Sequence, residues 1–392
     1  MPLNLERARQ VMQRAGVDAI IASSTPNVYY VSDFWSMGMQ LGCGTQSYAL
    51  LPLDGEPAII APLNEADLVV QSGSWVKDVN YYGCLNVKTT PNAASSDVTN
   101  RIVEATKMDV EQSSCDSLVI AVTSRGLHKK KLAYDTSGVT PSRYENVLKN
   151  LPDAKFVDGA ELLREIRMVK SQEEVERIQR VTEITEKSME DALEIARTEI
   201  MEVDLAGMYS YSVAYDGGRV THCNIGVGER SAYPNPLPTT LEAKRGDLIR
   251  MTLGAVFDNY QSNISRTAVI DNASAEVKKR WKAVVDAQES ALEAVAPGVT
   301  LGEVYVAAQK ELGKAGLKEC SASLGHSLGI ECNEQPALVA GSEVELAEGM
   351  VLNVDIPYLD LGWGGLELED TAVVTKESFR LLTNTERALY LL

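Results

Sequence analysis

Apolar residues recur at helical spacing through residues 4–15 (NLERARQVMQRA), and Gly16 then leads into an apolar strand, VDAIIAS. Two apolar runs in YALLPLDGEPAIIAPL flank Asp54-Gly55, which predicts a hairpin turned at that dipeptide. Strands and helices alternate in this way to about residue 158. Residues 159–197 change to a continuous helical pattern, with a capping-box signature at Ser171-Gln-Glu-Glu174. Beyond them, long amphipathic helices such as 274–295 alternate with strand pairs. The patterning therefore predicts two parts, residues 1–158 and 159–392.

The second part holds an internal repeat. GDLIRMTLGAVFDNYQSNISRTAVI (246–270) aligns with GMVLNVDIPYLDLGWGGLELEDTAVV (349–374), so that Gly246 falls on Gly349 and Thr252 on Asp355. Strand alternation sends residues i and i+2 to one face. It puts Asp355 on one strand of the second hairpin, with Glu367 and Glu369 together on the other. The equivalent positions of the first hairpin are Thr252, Asn263 and Ser265, so one face is acidic and its counterpart neutral. Buried carboxylates need a metal, a cation or a proton to compensate them. Arg250 precedes Thr252 by two and should face the same side. It either pairs with the acids or lies at a strand end that reaches solvent. Arg266 should face the opposite way.

Composition narrows the function classes. A net charge of −18 over 392 residues argues against nucleic acid as a partner and weakly against anionic membranes. The six cysteines include no C-x-x-C pair, which argues against a zinc ribbon and suits a reducing cytoplasm. No apolar run approaches the length of a membrane span, and the first residues show no signal-peptide pattern. Only three histidines occur, His128, His222 and His326. His128 lies in the basic stretch GLHKKK. His222 adjoins Cys223 on a strand, where neighbouring side chains point apart, so both are expected to be structural.

Several stretches resemble the pita-bread family of methionine aminopeptidases, prolidases, aminopeptidase P and creatinase. They are LREIRMVKSQEEVERIQR (163–180), GDLIRMTLGAVFDNYQSNISRT (246–267), GHSLGIECNEQP (325–336), EGMVLNVDIP (348–357) and LELEDTAVV (366–374). The resemblance implies an α+β chain: a creatinase-type α/β domain at 1–158, then a pita-bread domain at 159–392 with a pseudo-twofold repeat. It also implies a homodimer. The family's two-metal site uses two Asp, one His and two Glu. Here His326 and Glu369 match in kind and Asp355 stands where Glu is usual. Thr252 and Asn263 replace both aspartates. Asn235 and Asn333 replace two further histidines, and Glu367 replaces an arginine common in prolidases.

These departures, set beside creatinase, lead to the expectation of a metal-independent, creatinase-like hydrolase of a C–N bond in a small cationic molecule, with no cofactor and no metal ligand. His326, as imidazolium, would be the general acid, with Glu369 or Asp355 as base. Glu367, Asn263, Thr252, Asn235, Asn333, Arg250 and the aromatic Trp35 would contact the substrate. The alternatives are an Xaa-Pro dipeptidase-like hydrolase with a residual mononuclear metal site, and a non-catalytic descendant that binds a ligand or partner.

Overall fold

In the computed structural model, which describes residues 3–88, 90, 96–317 and 321–392, the chain divides into two compact units, Met1–Arg167 and Met168–Leu392. The division falls near the end of the helix Ala160–Met168, later than the patterning placed it. Cys320 lies outside the described residues, and the other five cysteines are free. No helix among the described residues is long and apolar enough to cross a membrane.

The first unit is built on six strands: β1 (Ala19–Ala22), β2 (Tyr48–Pro52), β3 (Ala58–Pro62), β4 (Asp78–Tyr82), β5 (Lys131–Tyr134) and β6 (Lys155–Asp158). Their order across the sheet is β4-β3-β2-β1-β5-β6. The strands on either side of Asp54-Gly55, β2 and β3, pair antiparallel as a hairpin. The central strands are buried along their length, as suits a sheet covered on both faces.

The second unit opens with the helix Gln172–Glu194, whose capping box forms as its sequence predicts. Its strands include β7 (Arg219–Val227), β8 (Leu248–Phe257), β9 (Tyr260–Gln261), β10 (Ile264–Val269), β11 (Ser323–Ser327), β12 (Glu334–Val339), β13 (Val351–Asp360) and β14 (Gly364–Val374), with two short strands, Phe379–Leu381 and Tyr390–Leu391, paired to β14 and β10. They lie in the order β12-β11-β13-β14-β10-β8-β7, with β9 paired to β8. Alternation divides the labour of the central strands. Leu352, Val354, Ile356, Leu366 and Leu368 pack into a core with Trp281, Val284, Val304 and Ala308 of the helices Ala275–Glu293 and Leu301–Lys314. The intervening residues, Asn353, Asp355, Glu367, Glu369 and Thr371, are left to the other face.

The repeat is visible in the register. Thr252 pairs with Ser265 across β8 and β10, and Asp355 pairs with Glu369 across β13 and β14. Ser265 in turn pairs with Glu369, so the two hairpins meet edge to edge at this row.

Candidate active site

Three carboxylates converge on the site face. Glu367 and Glu369 are 6% and 2% exposed, and Oδ1 of Asp355 is sealed from solvent without a hydrogen-bond partner. The first hairpin meets them with donors. Arg250, 2% exposed, places Nη1 2.5 Å from Glu367 Oε2, and Thr252 Oγ1 donates to the same oxygen at 2.5 Å. Arg250 Nε also donates to the Ser231 carbonyl at 2.6 Å, and Nη2 to that of Tyr233, which fixes the guanidinium on both sides. Asn263 Nδ2 donates to Glu369 Oε1 at 2.6 Å, and Ser265 Oγ to Oε2 at 3.2 Å. Of the two outcomes open for Arg250, the structure shows the buried pair, and its partner is Glu367. Arg266 faces the other way and pairs with Asp370 at 2.6 Å.

The electrostatics follow from this arrangement. Asp355 is held protonated well above the usual carboxylate range, first by burial and then by the negative charges of Glu367 and Glu369. Glu369 is raised in the same way, by burial and by Glu367, against hydrogen bonding from Ser265 and the charge of Arg266.

His326, on β11, lies in register with Asn353 of β13. Its Nδ1 is 3.0 Å from the Ser327 carbonyl, which can only accept, so Nδ1 carries the proton and Nε2 a free lone pair. Burial lowers its pKa, against smaller raising effects of the hydrogen bond to the Ser327 carbonyl and of the charge of Glu334. The expected imidazolium is therefore corrected to a neutral ring, because desolvation outweighs the acids. Behind β11, Lys170 is buried between Ser327 Oγ at 2.8 Å and Glu334 Oε2 at 3.1 Å, tying down the strand that carries His326.

Asn235 and Asn333 are exposed on loops and make no hydrogen bond to the carboxylates. Trp35 belongs to the first unit, where its indole donates to Gln40 at 2.8 Å and its ring meets Tyr29 edge-on. His222, expected to be structural, is instead part of the site: its Nε2 is 2.9 Å from Asn263 Oδ1. A glycine at 254 opposite a histidine was the available sequence signal, but only strand register brings the two together.

Residues 176–376 match the model of Metallopeptidase family M24, and residues 4–169 that of the Creatinase/Prolidase N-terminal domain. The Xaa-Pro dipeptidase of Pyrococcus horikoshii is 27% identical over 386 residues, spanning 97% of this chain and 96% of that protein. That of Pyrococcus furiosus is 32% identical over 247 residues, spanning 61% and 69%. Among solved structures, the prolidase from Pyrococcus horikoshii matches with a TM-score of 0.77 at 24% identity, over 98% of this chain and 99% of that one. The Xaa-Pro dipeptidase from Bacillus anthracis matches with a TM-score of 0.81 at 21% identity, over 99% of each. The fold is thus a creatinase-type N-terminal domain followed by a pita-bread domain.

These matches overturn the expectation of a metal-independent, creatinase-like hydrolase. The matched family is one of metallopeptidases, and the relatives are named Xaa-Pro dipeptidases rather than creatinases. The residues present do not fit the two ions that the fold implies. Two anionic ligand positions carry Thr252 and Asn263, whose polar hydrogens point at the remaining acids, and the Asn263 oxygen faces His222. Among the described residues no three His, Cys, Asp or Glu side chains are grouped to hold a metal. The departure lies in the ligands, while fold, domain order and motif order agree throughout: the chain belongs to metallopeptidase family M24.

Proposed function

We propose that this chain hydrolyses the C–N bond of a small dipeptide of the Xaa-Pro class and favours one that brings a positive charge to the site. The observation that carries this reading is Asp355. Its Oδ1 is buried and unpartnered beside two further carboxylates, and the Arg250 guanidinium that reaches this wall is already committed to Glu367. A substrate ammonium would bond that oxygen and stabilise the ionised form of the acids around it. The chemistry divides between groups whose environments push their protonation in opposite directions. Neutral His326 offers an Nε2 lone pair that can take a proton from water or ligate an ion. Asp355 and Glu369, raised above the ordinary range, hold a proton for the leaving nitrogen.

A second reading, a single divalent ion at the same acids, is favoured by His326. An Nδ1–H bound to a backbone carbonyl, with Nε2 free, is the usual set of a metal-bound imidazole. His326, Asp355 and Glu369 would hold the ion, and since they are not grouped for it in this structure their side chains would have to draw together around it.

Hydrolysis of Lys-Pro, Ala-Pro and Glu-Pro, followed with chelator or with added Mn²⁺ or Co²⁺, tests both. Faster turnover of Lys-Pro than of Glu-Pro is expected. No cleavage under any condition overturns the proposal, and turnover only with added ion selects the second reading.

A further inference from the structure

His222 sits on β7 opposite Gly254 of β8, directly after a register shift between Val220 and His222. Such a bulge re-aims the side chain that follows it. The ring lies over bare backbone: a Cβ built on Gly254 would stand 2.1 Å from His222 Cε1 and 2.5 Å from Nδ1, so only glycine leaves room for it. From this seat Nε2 reaches Asn263 Oδ1 at 2.9 Å, and Asn263 Nδ2 reaches Glu369 Oε1 at 2.6 Å.

The chain of bonds fixes its own polarity. Oε1 of Glu369 accepts from Nδ2 whether the acid is ionised or carries its proton on Oε2, so the amide nitrogen of Asn263 faces Glu369 and the amide oxygen faces His222. That oxygen accepts, so Nε2 of His222 carries a hydrogen. Burial favours the neutral ring, which leaves a lone pair on Nδ1 with the Thr221 hydroxyl 3.2 Å away as donor. Without the imidazole, Oδ1 of Asn263 loses its donor, and among the described residues the bond to Glu369 alone then orders the amide.

We propose that His222 is a positioning residue: by donating Nε2–H to Asn263 it fixes the amide that orients the Glu369 carboxyl in the site. The inference rests on the reading of Glu369 as a working member of the hydrolytic site.

Two variants separate the hydrogen bond from the packing. His222→Phe keeps a ring over Gly254 but has no donor, and His222→Gln keeps a donor. With Lys-Pro as substrate, His222→Phe should lower kcat roughly tenfold to a hundredfold with KM and thermal midpoint near those of the parent, the range for losing an orienting partner. His222→Gln should stay within about threefold of the parent, since a donor remains. Unchanged kcat in His222→Phe, or equal losses in both variants, overturns the proposal. Nitrogen-15 NMR of the imidazoles gives an answer that needs no turnover. A neutral Nε2–H ring whose resonance moves in Asn263→Ala is expected, and an Nδ1–H ring overturns the assignment even if no dipeptide is cleaved.

Discussion

The two hairpins that form the site share a register and differ in sign. β13 and β14 present Asp355, Glu367 and Glu369, whereas β8 and β10 present Arg250, Thr252, Asn263 and Ser265 to the same space. Every acid-facing position on the first hairpin is a hydrogen-bond donor. The relation between the halves has become donor against acceptor, where the family's site sets acids on both sides around ions. With one backbone pattern in both hairpins, the difference in side chains decides what must balance the three carboxylates.

The largest effect is expected where the balance is removed. Arg250→Met leaves Glu367 charged, buried and without its guanidinium, and should cost about 3–5 kcal/mol in denaturant unfolding. Adding Glu367→Gln should recover part of that loss, because no unpaired charge then remains. If Arg250→Met unfolds like the parent, the pair does not hold the two hairpins together.

Restoring acids to the first hairpin sharpens the comparison from the other side. Thr252→Asp with Asn263→Asp adds two negative charges to the cluster and should make the fold depend on divalent ions. At Mn²⁺ a hundredfold above its dissociation constant the gain is about 2.7 kcal/mol, read as a rise in thermal midpoint larger than that of the parent. An equal response in parent and variant would show that carboxylate number does not set ion affinity here.

The acidic wall also predicts a pH dependence. Asp355 and Glu369 bind a proton more tightly folded than unfolded. Their contribution to stability is complete below the ordinary carboxylate range and is lost as pH rises from there through the raised folded values. Asp355→Asn should therefore gain on the parent as pH rises above about 4, by at most ~1.4 kcal/mol per pH unit. A stability difference flat from pH 4 to 8 would contradict the burial of this group. The smallest effect belongs to Ser265→Ala, which removes one long bond to Glu369 and should cost about 1 kcal/mol or less in thermal unfolding.

Much of the site was legible because strands obey a period of two. That rule placed Asp355 beside Glu369, put Arg250 and Thr252 on one side, and turned Arg266 away. Two things escaped it. Charge state escaped because three acids in view suggest an imidazolium, whereas the cost of burying His326 wins, and burial is a property of the whole fold. His222 escaped because alternation fails at a bulge, and a one-residue register shift leaves no mark in a single sequence. Likewise Asn235 and Asn333 stand in for family histidines by position, yet both lie exposed on loops.

The seat of His222 ties two positions together. A Cβ at 254 would stand 2.1 Å from Cε1 of the ring and 2.8 Å from the Ser262 carbonyl, so a larger residue there has to displace the imidazole. A substitution at 254 alone therefore acts on His222 as well, and the two positions behave as one unit in any redesign of this wall.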